Sequence, residues 1–261
     1  MSNLHIHPVS AFSDNYIWCL HNQQLAVVVD PGDAGPVQRY LQQQGLQLAG
    51  ILVTHHHPDH IAGINTLVEQ WPGIPVWGPA REHIPARTQA LQQGDRVQLP
   101  LGLELQVLDV PGHTLGHIAY FGTGASTGPV LFCGDTLFSS GCGRLFEGTP
   151  EQMFHSLGLF RRLPGETRVF CTHEYTLSNL KFALAVEPDN LDIQQRKTAV
   201  EQLRADHLPS LPSTLALELK VNPFLRTDQA PVIEAVSRNC GARPASEAQT
   251  FARLRAWKDH F

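Results

Sequence analysis

The chain has 261 residues, 42% of them hydrophobic and 16% charged, with a formal net charge of −5. That excludes a disordered or fibrous protein and leaves one large domain or two modest ones. The acidic balance argues against nucleic acid or an anionic membrane as partner, though not against a local basic pocket.

Residues 4–30 read as β structure. Leu4 and Ile6 alternate with His5 and His7, and Tyr16–Leu20 and Leu25–Asp30 are further short strands joined by a turn at Asn22-Gln23-Gln24. His5 and His7 read as the polar face of an edge strand, because no acidic partner lies near them. Residues 36–44 predict a helix stopped by Gly45. Gly50–Thr54 is a buried strand, and Ile61, Ile64, Leu67, Val68 and Trp71 recur at helical spacing. Pro75–Trp77, Arg96–Leu99 and Leu103–Val110 are the next strand candidates. Pro129–Cys133 and Thr167–Cys171 follow.

After about residue 175 the character becomes helical. Leu180, Leu184 and Glu187 fall in one helix, and residues 190–208 make a longer one broken by Pro209–Ser213. Residues 231–240 and 246–258 are two more, the last capped by Ser246 with Glu247 in its first turn. This organisation predicts an α/β domain over 1–172 and a smaller all-helical domain over 173–261.

The candidate chemistry sits at strand ends. The strand at 50–54 runs into Thr54-His55-His56-His57-Pro58-Asp59-His60. In an extended stretch residues two apart point the same way, so His55 and His57 reach one ion while His56 turns aside. Pro58 starts a turn that sends Asp59 and His60 toward a second ion. Three later strands end in His113, Asp135 and His173, each beside a threonine. Asp135 suits a bridge, since a carboxylate has two oxygens. The expected allocation is His55, His57 and His113 to one ion and Asp59, His60 and His173 to the other. Imidazole with carboxylate suits zinc, iron or manganese. Such a pair of ions drops the pKa of bound water from 15.7 toward ~7, which points to hydrolysis.

Five cysteines, odd in number, widely spaced and without Cys-x-x-Cys, give a reduced, cytoplasmic pattern. Cys133 and Cys171, in apolar strands, read as core. No signal peptide and no membrane span are expected. His56 and His117 read as neighbours that support the ligands; His21, His83, His155, His207 and His260 read as surface residues.

The seven-residue cluster, with Pro111–Thr114, Gly134–Thr136 and His173, resembles the metallo-β-lactamase superfamily. That resemblance implies an αββα sandwich with a binuclear site at its edge. Ser13–Tyr16, Gly141–Gly148, Thr172–Tyr175, Asn222–Phe224 and Arg255–Asp259 narrow it to the glyoxalase II family. The narrower resemblance implies hydrolysis of S-D-lactoylglutathione and related 2-hydroxyacylglutathiones to glutathione and D-lactate, within methylglyoxal degradation. It implies two divalent ions, zinc foremost, and catalytic roles for Asp59 and Asp135. It implies substrate contacts from Arg144, Leu145, Phe146, His173, Glu174, Tyr175, Arg255 and Lys258. A monomer is expected. Phe146 stands where some members carry tyrosine, which removes one hydroxyl contact. A persulfide dioxygenase using one iron and a non-catalytic metal-binding protein are the competing readings.

Overall fold

The computed structural model describes residues 4–124 and 127–261. The chain forms two compact units, and neither is contiguous in sequence. The first comprises Met1–Asp109, Gly116–Gly134 and Phe170–His173; the second comprises Val110–Leu115, Asp135–Val169 and Glu174–Phe261. Segments 110–115 and 135–169 thus group with the C-terminal helices, not with the strands that precede them.

In chain order the first unit begins with strands β1 (His5–Ala11), β2 (Asn15–His21) and β3 (Leu25–Val29), then helix α1 (Ala34–Gln44) and strand β4 (Gln47–Leu52). Helices α2 (Pro58–Ile61) and α3 (Ile64–Gln70) follow, then β5 (Val76–Pro79), β6 (Gln89–Leu91), β7 (Arg96–Gln98) and β8 (Glu104–Asp109). Strands β9 (Ile118–Gly124) and β10 (Gly128–Gly134) complete the run. Strands β1 to β6 make one sheet in sequence order, antiparallel as far as β3 and parallel from there. β1 is its edge, which leaves His5 and His7 exposed. The other sheet runs β7-β8-β9-β10 and continues to β13 (Arg168–Cys171).

Alternation decides which face each residue serves. On β2, Ile17 and Cys19 join the core formed with Val37 and Leu41 of α1 and Ile64 and Leu67 of α3. Trp18, between them, faces the other sheet. Its ring meets Phe170 edge-on at 4.9 Å, and its indole donates to the Cys171 carbonyl at 2.9 Å. The Tyr120 hydroxyl of β9 donates to the Val53 carbonyl at 2.8 Å, a second tie between the sheets. Helix α1 ends at Gly45, which has φ 66° and returns N–H bonds to the last turn.

The second unit holds the hairpin β11 (Leu137–Phe138)/β12 (Gly141–Cys142), then α4 (Pro150–Phe160). After β13 come α5 (Thr176–Val186), α6 (Leu191–Ala205), β14 (Ser213–Thr214), α7 (Leu215–Val221), a 3-10 turn (Pro223–Leu225), α8 (Ala230–Cys240) and α9 (Glu247–Asp259). Leu180, Ala183, Ile193, Val200 and Val221 make one core among α5, α6 and α7. Phe182, Phe224 and Phe251 form a second, with ring centroids 6.0 and 5.7 Å apart.

Glu218 of α7 is fully buried. Its carboxylate accepts from Ser139 Oγ (3.0 Å), Ser140 N (2.7 Å), Ser213 Oγ and Asn222 Nδ2 (3.2 Å). Burial raises its pKa, and those four donors oppose the rise. Asn222 also donates to the carbonyls of Phe138 and Gly141, and Asn179 donates to that of Ser139. The short hairpin after Asp135 is therefore held by side chains of α5 and α7. Among the described residues no helix is long and apolar enough to cross a membrane.

Candidate active site

In the first unit the buried end of β4 delivers Thr54, whose N–H and hydroxyl both donate to Asp30, at 2.8 and 2.7 Å. Asp30 sits at φ 53°, uncommon for a non-glycine residue and typical of positions held by their surroundings. His57 is still extended, at φ −62° and ψ 144°, and caps α2 with Pro58 in the first turn. Asp59 and His60 thereby leave the line of the strand. They meet His173 from the end of β13, and one potential ligand atom from each lies within 4.8 Å of the others. Gly32 makes room for this turn: a Cβ there would lie 1.8 Å from the Asp59 carbonyl oxygen.

The histidine neighbours decide which ring nitrogen is available. His173 Nδ1 is 2.8 Å from Asp14 Oδ1, and His60 Nδ1 is 3.1 Å from Asp30 Oδ2. A carboxylate only accepts, so His173 Nδ1 carries the proton and its Nε2 keeps its lone pair, whereas the His60–Asp30 contact is close but lacks hydrogen-bond geometry. The two Nε2 atoms lie 3.4 and 3.6 Å from Asp59 Oδ2, which Asn15 Nδ2 holds at 3.0 Å. Carboxylate-backed imidazoles of this kind are a common outer arrangement of metal ligands. His55 is buried, 4.7 Å from the His57 ring between centroids, and stacks on buried His117 at 4.6 Å. His56 does turn aside, its Nδ1 3.0 Å from Glu82.

In the second unit His113 Nδ1 lies 2.8 Å from the Arg144 carbonyl oxygen, which again makes Nδ1 the donor. His113 Nε2 is then 3.4 Å from Asp135 Oδ2. Gly143 permits the approach, since a Cβ there would lie 1.9 Å from the Asp135 carbonyl oxygen.

A cavity of about 380 Å³ opens beside this pair. Arg144, Phe146, Tyr175, Arg255 and Lys258 line it, as the sequence suggests. Phe138, Cys142, Ser178 and Asn179 line it too, beyond the residues that the sequence suggests. Ser178 and Asn179 lie three and four residues beyond Tyr175 on α5, a helical spacing that offered a signal. Phe146, 64% exposed, stands edge-on to His113 at 5.2 Å. Glu174 is turned elsewhere: its carboxylate accepts from Ser210 N at 2.8 Å and faces Arg204 at 3.7 Å. Neither Glu174 nor Leu145 lines the cavity.

The two cations of α9 differ. Arg255 is buried, 3% exposed. Its Nη1 donates to the Cys142 carbonyl and its Nη2 to Asp259, both at 2.9 Å, and its plane lies over Phe224. Lys258 Nζ sits 5.1 Å from the Phe182 ring centroid. Burial, then the charges of Arg255 and Arg144, bring its pKa down to about 8. Burial also pushes the Cys142 thiol up, against the pull of Arg255 and Lys258.

A two-sheet frame with histidines and aspartates at its strand ends defines a class, the metallo-β-lactamase fold. Residues 14–173 match the family model described as the metallo-beta-lactamase superfamily. Residues 174–261 match the model described as the hydroxyacylglutathione hydrolase C-terminus. The chain is 54% identical to the hydroxyacylglutathione hydrolase of Cupriavidus taiwanensis, over 99% of each chain. It is 54% identical to that of Pseudomonas fluorescens, over 99% of this chain and 100% of the relative. The chain belongs to the hydroxyacylglutathione hydrolase family, a metallo-β-lactamase domain followed by a helical C-terminal domain. Among solved structures, ETHE1 from Myxococcus xanthus matches with a TM-score of 0.56 and 31% identity, covering 66% of this chain and 76% of its own. TTHA1623 in a di-iron-bound form matches with a TM-score of 0.57 and 27% identity, covering 84% and 100%. Membership in this superfamily implies divalent metal ions, and the His/Asp donors described above suit them.

Proposed function

We propose that this chain hydrolyses S-D-lactoylglutathione, and related 2-hydroxyacylglutathiones, to glutathione and D-lactate, and so serves methylglyoxal detoxification. The cavity carries the reading. A glutathione thioester bears two carboxylates, and this acidic protein gathers Arg144, Arg255 and Lys258 around a cleft that also contains His113 and Asp135. The names of its full-length relatives support the same substrate.

Two divalent ions are assigned, zinc foremost, with iron or manganese as alternatives. His55, His57 and His113 would hold one, Asp59, His60 and His173 the other, and Asp135 would bridge. Bound there, the ions would supply an acidified water and a Lewis acid for the carbonyl oxygen. Asp59, held by Asn15, orients the attacking water and takes its proton. Asp135, fixed beside His113, is assigned to the catalytic centre as a carboxylate that would hold the ions there. A C–O bond forms at the acyl carbon and the C–S bond breaks. The sulfur leaves as a thiolate, which at a thiol pKa of about 8.5 needs little help from an acid. Arg144, Phe146, Tyr175, Arg255 and Lys258 are assigned to the substrate through the cavity they line, the cations to its carboxylates and Phe146 and Tyr175 to its apolar stem; Leu145, His173 and Glu174 are assigned to it by the family resemblance, outside that lining.

The domain assignment is 1–172 for chemistry and 173–261 for substrate. The protein is assigned to the cytoplasm as a monomer, without nucleic-acid or membrane partners. A single-iron persulfide dioxygenase would not need the Asp59, His60 and His173 group, whose proximity favours the hydrolase. The test uses zinc-loaded protein and compares lactoylglutathione with an acyl thioester lacking both carboxylates. Preference for the former by kcat/KM is the expected result. Equal rates on both would sink the glutathione assignment, and oxygen uptake with glutathione persulfide would favour the dioxygenase.

A further inference from the structure

We infer that Asp259 is a built-in competitor of the substrate: its carboxylate occupies the cations that receive a substrate carboxylate, and so limits how tightly substrate and glutathione are held. This rests on the glutathione reading above. One oxygen, Asp259 Oδ1, lies 2.9 Å from Arg255 Nη2 and 3.9 Å from Arg144 Nε. Both arginines line the cavity, as does Lys258, the residue before Asp259. An anion bound to these cations must displace or share with the carboxylate already there.

Helix stability does not explain an acid at this position. Asp259 is the last residue of α9, where the negative end of the helix dipole disfavours it. What holds it is the guanidinium of Arg255, one turn back on the same face. A buried guanidinium left without an anion is costly, so Arg255 needs a counter-ion while the cavity is empty. Asp259 is suited to temporary duty: its side chain is 36% exposed, so it can turn to water when another carboxylate arrives. Arg255 keeps its bond to the Cys142 carbonyl in either case, and its Nε is a further buried donor without a hydrogen-bond acceptor among the described residues.

The experiment measures glutathione binding by calorimetry, near pH 7 and with zinc-loaded full-length protein, alongside KM for lactoylglutathione. Asp259→Asn keeps an acceptor for Arg255 and removes the charge. The expected result is glutathione held roughly three- to ten-fold more tightly, with KM lowered in step, as one nearby charge predicts in a half-exposed site. The gain should shrink as salt rises from about 50 mM to about 500 mM. Asp259→Glu, which keeps the charge, should bind like the parent. If Asp259→Asn binds glutathione equally or more weakly than a parent that does bind it, Asp259 aligns the arginines and the inference fails alone. A parent that neither binds glutathione nor hydrolyses its thioester overturns the glutathione reading, and the inference with it.

Discussion

The turn from Thr54 to His60 and the cation-lined cavity solve opposite problems. The turn and the His173 that meets it must hold several polar groups at fixed angles, and three imidazoles have a second neighbour for this: Asp14 bonded to His173, Asp30 3.1 Å from His60, and Thr54 beside His55 at 3.1 Å. The cavity must take up and release an anionic molecule, and its cations differ in how firmly they are held. Arg255 is buried and bonded, whereas Arg144 keeps a side chain 67% exposed and one ion pair at 3.9 Å. The difference teaches where each kind of change should register: near the turn, in metal content and turnover; in the cavity, in affinity.

His60→Ala offers the largest effect and the sharpest way to break that division. Losing the outer partner of a ligand already costs about 10–100-fold, so losing the ligand itself should cost more than about 100-fold in kcat. Metal analysis should show the loss beside the kinetics, and a variant with full metal content and full kcat would remove His60 from the centre. Asp14→Asn should fall within about 10–100-fold, in metal affinity or in activity. Activity restored to the parental level by excess zinc would assign that loss to binding of the ion; unchanged behaviour would show that Asp14 does not set the His173 ring.

In the cavity, Lys258→Ala should raise KM about tenfold, equal to ~1.4 kcal/mol, with kcat nearly unchanged. The same residue sets a pH dependence. Its pKa is brought down to about 8, so the cation is present below that pH and lost above it. KM should therefore climb between about pH 7 and pH 9, and Lys258→Arg should flatten the climb because arginine stays charged. A kcat loss with constant KM would break the comparison from this side. The smallest effect belongs to the scaffold. Ser246 Oγ accepts from Gln249 N at 3.2 Å at the start of α9. Ser246→Ala should cost ~1 kcal/mol in a denaturant titration and leave both kcat and KM near the parent values.

Dense local signals were readable without a structure. The Thr54–His60 run, the Gly45 stop and the Ser246 cap each state their geometry within a few residues. Distant contacts did not. The helical spacing from Ile61 to Trp71 suggests one helix, but it divides at Gly63, whose N–H donates to the Pro31 carbonyl at 3.0 Å. Helix α4 is not legible in the sequence, although Thr149 and Gln152 form a capping box, because its surroundings are rich in glycine and proline. Helix α7 also escaped, hidden behind the break at Pro209–Ser213, and with it Glu218. Strands β11 and β12 are two residues each and carry no periodicity to detect. The burial of Arg255 depends on Cys142, 113 positions away in sequence. Spacing alone can place Arg255 and Lys258 on one face, but it cannot say which of them water reaches.

That burial also bears on chemical durability. Reactive α-dicarbonyls form adducts with guanidinium groups, and attack requires an accessible nitrogen. Arg255 offers little: it is 3% exposed, bonded at both terminal nitrogens and covered on one face by Phe224. Arg144 has no such cover. One of the two cavity arginines is thus out of reach of such reagents, and on treatment with an α-dicarbonyl, modification mapped by peptide mass should accumulate at Arg144 first.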